Sequence, residues 1–328
     1  MDRLLGIGLG FWESRTLLSA VELGVFTVLG ERQLTAEELR EELGLHPRAA
    51  RDFFDALVAM EVLRREDGRY ANAADTAQYL DRNRGEYIGG FLEMAATRLY
   101  GFWAGLTEGL RTGLPQNEAK AGGDFFATLY RDQDRLRDFQ RAMTGLSLPS
   151  AHAIAQEFPW QRWLTVADIG TAQGALLRTV LDSHPHLQGI GFDLPVCEPI
   201  FTEYVAPLGK RACFQPGDFF TDPLPTAEVL VFGHILHDWD LDTKRMLLAK
   251  AHKALPDGGA ILVYETLIDD DRRTNLAGLL MSLNMLIETP AGFDYTAADL
   301  REWLSETGFR DPQTVRLAGP ESMVWAVK

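Results

Sequence analysis

From Trp163 onward the chain alternates short apolar runs with helical stretches, and few folds accept that rhythm. Residues 164–168, 189–193, 211–215, 228–236 and 260–265 read as five strands. The fourth contains Val229-Leu230-Val231-Phe232, which offers no polar face to water. Such a run belongs in a parallel sheet covered by helices on both sides. Strands alternating with helices predict an α/β fold with a doubly covered, Rossmann-like sheet. The runs at 314–317 and 323–327 predict a closing hairpin.

Open sheets of this kind bind ligands beyond the carboxyl ends of their strands. The predicted strands lead there into Asp168, Asp193, Asp218, His237 and Glu265. Any one of these is ordinary in an acidic chain, but five along one sheet edge exceed what solubility requires. The loop Asp168-Ile169-Gly170-Thr171-Ala172-Gln173-Gly174 turns from strand to helix. Gly170 and Gly174 let backbone approach a ligand, and the helix from about Ala175 turns free N–H groups toward it. Asp193, at the next strand end, suits ribose hydroxyls. Together these predict a nucleoside cofactor, either NAD or S-adenosylmethionine. The loop lacks the full G-x-G-x-x-G pattern, and Gly217-Asp218-Phe219-Phe220 offers an acid and a ring for adenine, which favours the second. His237 lies in His234-Ile235-Leu236-His237-Asp238-Trp239-Asp240. Imidazole titrates near neutrality and can take a proton from a weakly acidic group.

The first half of the chain is helical in texture. Residues 11–29 read as one amphipathic helix. Thr35-Ala36-Glu37-Glu38 has capping-box form, and Pro47 precedes a predicted helix over 48–63. A hairpin turning at Asp67-Gly68 follows, which completes a winged-helix layout. A DNA-binding regulator is the competing reading. Its reading helix, however, mixes Arg48 and Arg51 with Asp52, Asp55 and Glu61, which would repel phosphates. The unit therefore reads as a dimerisation module. The domains expected are 1–85 for this unit, 86–150 for a helical linker and pocket region, and 151–328 for the cofactor-binding sheet. Large apolar groups crowd the middle region: Phe91, Met94, Tyr100, Phe102, Trp103, Phe125, Phe126, Tyr130 and Phe139. Core packing explains most of them. A subset, Phe91, Met94, Phe102, Trp103 and Phe139, could line a flat apolar pocket with Asn284 and Met285.

The chain has 328 residues, 46% hydrophobic and 24% charged, which is enough for two globular domains. A net charge of −15 argues against nucleic acid as partner. Two cysteines, Cys197 and Cys213, without metal-type spacing predict reduced thiols in a cytoplasmic protein with no metal. No signal-peptide pattern and no apolar stretch of 18 residues is present, so no membrane partner is expected.

With these residues in view, the sequence resembles the S-adenosylmethionine-dependent small-molecule O-methyltransferases, which include plant caffeate and flavonoid enzymes and bacterial natural-product enzymes. The likeness runs over essentially the whole chain. It is carried by 168–174, Phe192-Asp193-Leu194-Pro195, Gly217-Asp218-Phe219-Phe220, Pro256-Asp257-Gly258-Gly259 and most specifically Leu236-His237-Asp238-Trp239. Phe139 to Ser147 adds the form F-x-x-x-M-x-x-x-S. The resemblance implies a class I methyltransferase-like sheet and a homodimer formed through the N-terminal unit. It also implies S-adenosyl-L-methionine as cofactor and S-adenosyl-L-homocysteine as product, with an aromatic small molecule as substrate. By it, Asp193 holds the ribose, Asp218 and Phe219 the adenine, and Gly170 the methionine part, with Asp168, Gly174, Leu194 and Gly217 also expected to bind the cofactor. Met143 and Ser147 would face the cofactor. His237 is implied as general base, with Glu265 beside its ring and Asp294 as a second acid. Two departures stand out: Thr171 and Ala172 replace loop glycines, and Gly233 stands where plant members carry lysine, so that cofactor contact should be absent. Methylation of nitrogen or carbon, or a reaction that transfers no methyl, is the alternative on the same fold.

Overall fold

The computed structural model describes residues 2–85, 87–121 and 133–328, so Phe125, Phe126 and Tyr130 lie outside the described residues. Contacts divide the chain into two compact units. One is formed by the chain up to Gly101 with Arg141–Leu146, the other by Phe102–Gln140 with Ser147–Lys328.

In the first unit the helix expected over 11–29 is two: α1 (Asp2–Leu23) and α2 (Val25–Leu29). Gly24 between them is left-handed, at φ 73°, which a continuous helix does not allow. Helix α3 (Ala36–Glu42) starts at the expected capping box, with the Thr35 hydroxyl and the Glu38 carboxylate each accepting the other residue's N–H. Helix α4 (Ala50–Ala59) stops short of the expected 63, because Glu61 takes φ 62° and the chain then extends. The strands are β1 (Leu34–Thr35), β2 (Leu63–Glu66) and β3 (Arg69–Asn72), ordered β1-β3-β2. Asp67 and Gly68, both at positive φ, form the hairpin turn as predicted. Phe26, Leu29, Phe54, Leu57 and Tyr70 fill the core of this wing-and-helix arrangement. Helices α5 (Ala74–Tyr79) and α6 (Gly89–Met94) follow, then a π-helical turn (Ala95–Leu99) and α7 (Tyr100–Trp103).

The second unit is built on a seven-stranded sheet. Its strands are β4 (Thr165–Ile169), β5 (Gln188–Asp193), β6 (Ala212–Pro216), β7 (Val229–Gly233), β8 (Ala260–Glu265), β9 (Arg310–Arg316) and β10 (Ser322–Val327). The order is β6-β5-β4-β7-β8-β10-β9, with β10 antiparallel to both neighbours as the expected hairpin requires. Leu230 and Phe232 pack on one side with Leu247, Leu248 and Ala251 of helix α8 (Leu241–Ala254). Val229 and Val231 pack on the other with Leu177, Val180 and Leu181 of α9 (Ala175–Ser183). All four strand residues are fully buried, and each contributes on the order of 1.5–3 kcal/mol by leaving water. The chain lays β5 and β6 to one side of β4, then crosses to lay β7 and β8 on the other. That reversal opens a crevice between the carboxyl ends of β4 and β7, the place where such sheets hold ligands.

Candidate active site

Strand β7 stops at Gly233, three residues before the end expected from the sequence. His234 takes φ 54°, which breaks the extended backbone, and Leu236–Asp238 then close a 3₁₀ turn. Leu236 is buried in the sheet core and anchors this turn, so His237 is held beyond the strand rather than at its end. Its ring is nearly buried, with 7% of the side chain exposed.

Three carboxylates meet His237, through different atoms, Asp238 with its Oδ1 3.7 Å from Nε2. Glu265, the last residue of β8, accepts the backbone N–H of His237 at 3.1 Å. Asp294 accepts from Nδ1 of the ring at 3.2 Å. Both Glu265 and Asp294 lie beside the imidazole, with a ring nitrogen and an oxygen of each carboxylate within 4.8 Å of one another. The ring's hydrogen bond goes to Asp294, because β8 ends level with the backbone of the turn whereas the 289–296 loop reaches the ring. That loop lies close because of Gly292. A Cβ there would sit 2.5 Å from the carbonyl oxygen of His237 and 2.7 Å from that of Asp238. The N–H of Asp294 donates to Ser282 Oγ at 3.2 Å, on helix α10 (Leu276–Glu288). An ionised carboxylate can only accept, so a proton on Nδ1 is what this contact favours.

Charge in this cluster is concentrated. Burial works against a protonated His237, yet Glu265, Asp238 and Asp294 together outweigh it and push the imidazole up to about 10. Burial likewise lifts Asp238 to about 6, against the pull of the imidazole. The chain supplies its own counter-charge in Lys244, which lies wholly buried on α8.

A second imidazole–carboxylate pair, unassigned by sequence reasoning, stands next to the first. His234 Nε2 lies 3.0 Å from Glu321 Oε1, and the rings of His234 and His237 are 5.8 Å apart. His234 could have been suspected from its spacing to His237. Glu321, in the turn of the closing hairpin, carried no signal at all.

Along the neighbouring strand ends the expected cofactor residues come together. Asp193, closing β5, accepts from Ala172 N–H at 2.9 Å and from Leu194 N–H at 2.8 Å, one on each oxygen. Burial raises its carboxyl, against the pull of those two amides. Cys197, itself holding a bond from Gln140 Nε2 at 3.1 Å, supports Asp193 from below; neither residue was foreseen. Asp168 accepts from the Thr171 hydroxyl at 2.9 Å, and burial pushes it up to about 7. Gly170 and Gly174 have φ of 73° and 87°, and Gly174 caps α9. Gly217 is buried; Asp218 accepts its own turn's Phe220 N–H at 2.8 Å. Phe219 lies edge-on to Phe220 and Trp239. The Ser147 hydroxyl is bonded to that of Tyr264. This set fits a nucleoside with a cationic amino-acid tail: each Asp193 oxygen keeps lone pairs beyond its single N–H bond, and the α9 N-terminus faces the same crevice.

The expected pocket residues are only partly assembled. Trp103 Nε1 donates to Asn284 Oδ1 at 2.9 Å, and Met285 is buried one residue on. Phe102 is half-buried. Phe139 instead packs with Leu136, Cys197 and Ile200, behind Asp193. Phe91, Met94 and Met143 belong to the first unit, half-buried there.

Comparison with known proteins adds the chain's relatives. Residues 103–310 match the family model of the O-methyltransferase domain, and residues 6–82 match that of the O-methyltransferase dimerisation domain. The chain is 43% identical to the tetracenomycin polyketide synthesis 8-O-methyl transferase TcmO of Streptomyces glaucescens, covering 98% of this chain and 94% of that protein. It is 36% identical to the N,N-dimethyltransferase OxyT of Streptomyces rimosus, covering 96% and 92%. Among solved structures, human N-acetylserotonin methyltransferase in complex with SAM superposes with a TM-score of 0.92 at 28% identity, covering 100% and 97%.

Proposed function

The chain belongs to the S-adenosylmethionine-dependent O-methyltransferases, and from that premise we propose that it methylates a hydroxyl of an aromatic metabolite, of phenolic or aromatic polyketide type, with His237 as general base. The observation that supports this reading is the His237–Asp294 hydrogen bond, which engages Nδ1 and leaves Nε2 as the ring nitrogen that would exchange a proton with the hydroxyl.

When bound, S-adenosylmethionine supplies an electrophilic methyl group on a cationic sulfur. Asp193, Asp168 and the Gly170–Gly174 loop are the residues proposed to hold it. The chain's own task is to make the acceptor oxygen electron-rich. A phenol has a pKa of about 10, so ionising it at pH 7 requires roughly 4 kcal/mol. A positioned base that takes the proton during the reaction contributes about 10²–10⁴-fold. In the cofactor-free cluster the surrounding acids favour the imidazolium. Asp193, Asp168 and the Gly170–Gly174 loop would hold the sulfonium along the same sheet edge, where its positive charge would oppose the imidazolium and lower the proton affinity of His237. Asp294 then stabilises the imidazolium that forms again as the hydroxyl gives up its proton. Holding oxygen and methyl in line supplies the remainder.

The substrate class rests on the polyketide O-methyltransferase relative TcmO and on the apolar residues around Trp103, Asn284 and Met285. The same reading makes the protein a cytoplasmic homodimer joined through its first unit. The test is S-adenosylhomocysteine release over a panel of polycyclic phenols and hydroxylated aromatic acids, with His237→Ala alongside. We expect turnover on phenols and a loss of at least about 100-fold in the variant, with cofactor affinity nearly unchanged. Undiminished turnover in His237→Ala would remove the base. Turnover on aromatic amines but not phenols would move the reaction to nitrogen, as OxyT's name states for that relative.

A further inference from the structure

Lysine is almost never fully buried unless something inside the protein demands its charge. Lys244 is fully buried, one turn into α8. Its Nζ donates to the carbonyl of Trp239, the residue that closes the His237 turn. The same ammonium sits 3.5 Å over the ring of Phe293 and 5.5 Å from that of Tyr295. Those two residues flank Asp294. One side chain thus touches both the backbone that carries the imidazole and the loop that carries its acid. A cation over an aromatic face is attracted by the ring quadrupole, more strongly where water is excluded.

We propose that Lys244 is a positioning residue for His237, clamping the Asp294 loop onto the His237 turn and placing a positive charge among the carboxylates that surround it. The proposal rests on the reading of His237 as base. The charged groups facing Lys244 are Glu265 from β8, Asp294 from its loop, Asp238 from the 3₁₀ turn and Asp240 from the start of its own helix. Those facing His237 are Glu265, Asp238 and Asp294, with His234 and Glu321 on the other side. Burial brings Lys244 down to about 8, while the four carboxylates oppose the fall. It is therefore mainly charged at neutral pH. Removing that positive charge makes every proton in the cluster harder to lose, so the whole coupled titration moves upward.

The test compares the full-length enzyme with Lys244→Met, which keeps length and burial without charge, and with Lys244→Arg, which keeps the charge. The readouts are the pH profile of kcat and S-adenosylmethionine affinity by calorimetry. A third is titration of the His237 ring in the cofactor-free enzyme by NMR of labelled histidine. We expect Lys244→Met to lose at least tenfold in kcat at pH 7, with its rising limb displaced upward by half a pH unit or more and cofactor affinity within twofold. The ring titration in the empty enzyme moves the same way. Lys244→Arg leaves the limb in place. Should Lys244→Met not fold, Phe293→Leu weakens the hold on the ammonium and gives a smaller upward displacement. Activity lost without movement of limb or ring titration makes Lys244 a packing residue and overturns the proposal, as does wild-type behaviour in both variants. The NMR arm needs no substrate, so an unfit substrate panel or a failed assignment of His237 as base is told apart from failure of the clamp.

Discussion

At His237 one residue is held twice, its backbone N–H by Glu265 and its ring by Asp294. These two bonds do different work. The first fixes where the turn lies; the second fixes which ring nitrogen carries the proton. Replacing the orienting acid in an imidazole–carboxylate pair by its amide costs up to about 10⁴ in kcat where the tautomer is lost. Asp294→Asn is therefore expected to lower kcat by about 10²–10⁴ and Glu265→Gln by less, since a glutamine oxygen still accepts the His237 amide. Cofactor affinity should move little in either. Steady-state kinetics of the two variants side by side check this; the reverse ranking would return the orienting role to Glu265. The sequence already singled out His237, Glu265 and Asp294, because residue type and motif spacing mark them. Which acid faces the ring was not legible, because it depends on how closely the 289–296 loop rests on the turn. Gly292 decides that, and a glycine without a tertiary neighbour carries no such message.

Strand β7 is the element that organises the site. Its last residue, Gly233, lies against Tyr264 of β8, and a Cβ there would fall 2.2 Å from the phenol ring. Tyr264 is itself confined, 4% exposed, edge-on to His234 at 5.3 Å and bonded to Ser147. The absence of a side chain at 233 is thus a packing requirement of this chain as well as a departure from the plant pattern. Gly233→Ala should destabilise by about 1–3 kcal/mol through overpacking, and Tyr264→Val in the same chain should recover most of it. Thermal unfolding of the single and double variants checks this; an unchanged melting temperature for Gly233→Ala would mean that Tyr264 relocates freely. The strands were legible from their apolar runs, and the hairpin turn from Asp67-Gly68. Element ends were less so. Gly24, Glu61 and His234 each leave regular structure through a positive φ, and for two of them, not being glycine, nothing local announces it.

At the scale of the whole molecule, the first unit matches a dimerisation domain, and α1 carries Leu4, Leu5, Ile7, Phe11 and Trp12 more than half exposed. Apolar groups concentrated on one exposed helix mark an interaction surface rather than solvent-facing structure. With a second copy as the proposed occupant, Ile7→Asp combined with Trp12→Glu is expected to yield monomer by sedimentation velocity, with the fold of each unit kept by circular dichroism. A double variant that remains dimeric would place the interface elsewhere. No helix among the described residues is long and apolar enough to cross a membrane.

The sequence by itself determined the strand–helix alternation, the wing, and the residue types gathered along one sheet edge. Periodicity and strand-end chemistry are local properties, and locality is what a sequence displays. Only the tertiary structure decided that the imidazole's hydrogen bond goes to Asp294 rather than Glu265, that His234 finds Glu321, and that Lys244 lies buried across two segments of the site. Each of these joins residues dozens of positions apart or turns on a backbone angle with no local cause. Their energies exist only once the sheet has brought those segments within a few ångströms, where burial makes every charge and every missing Cβ count.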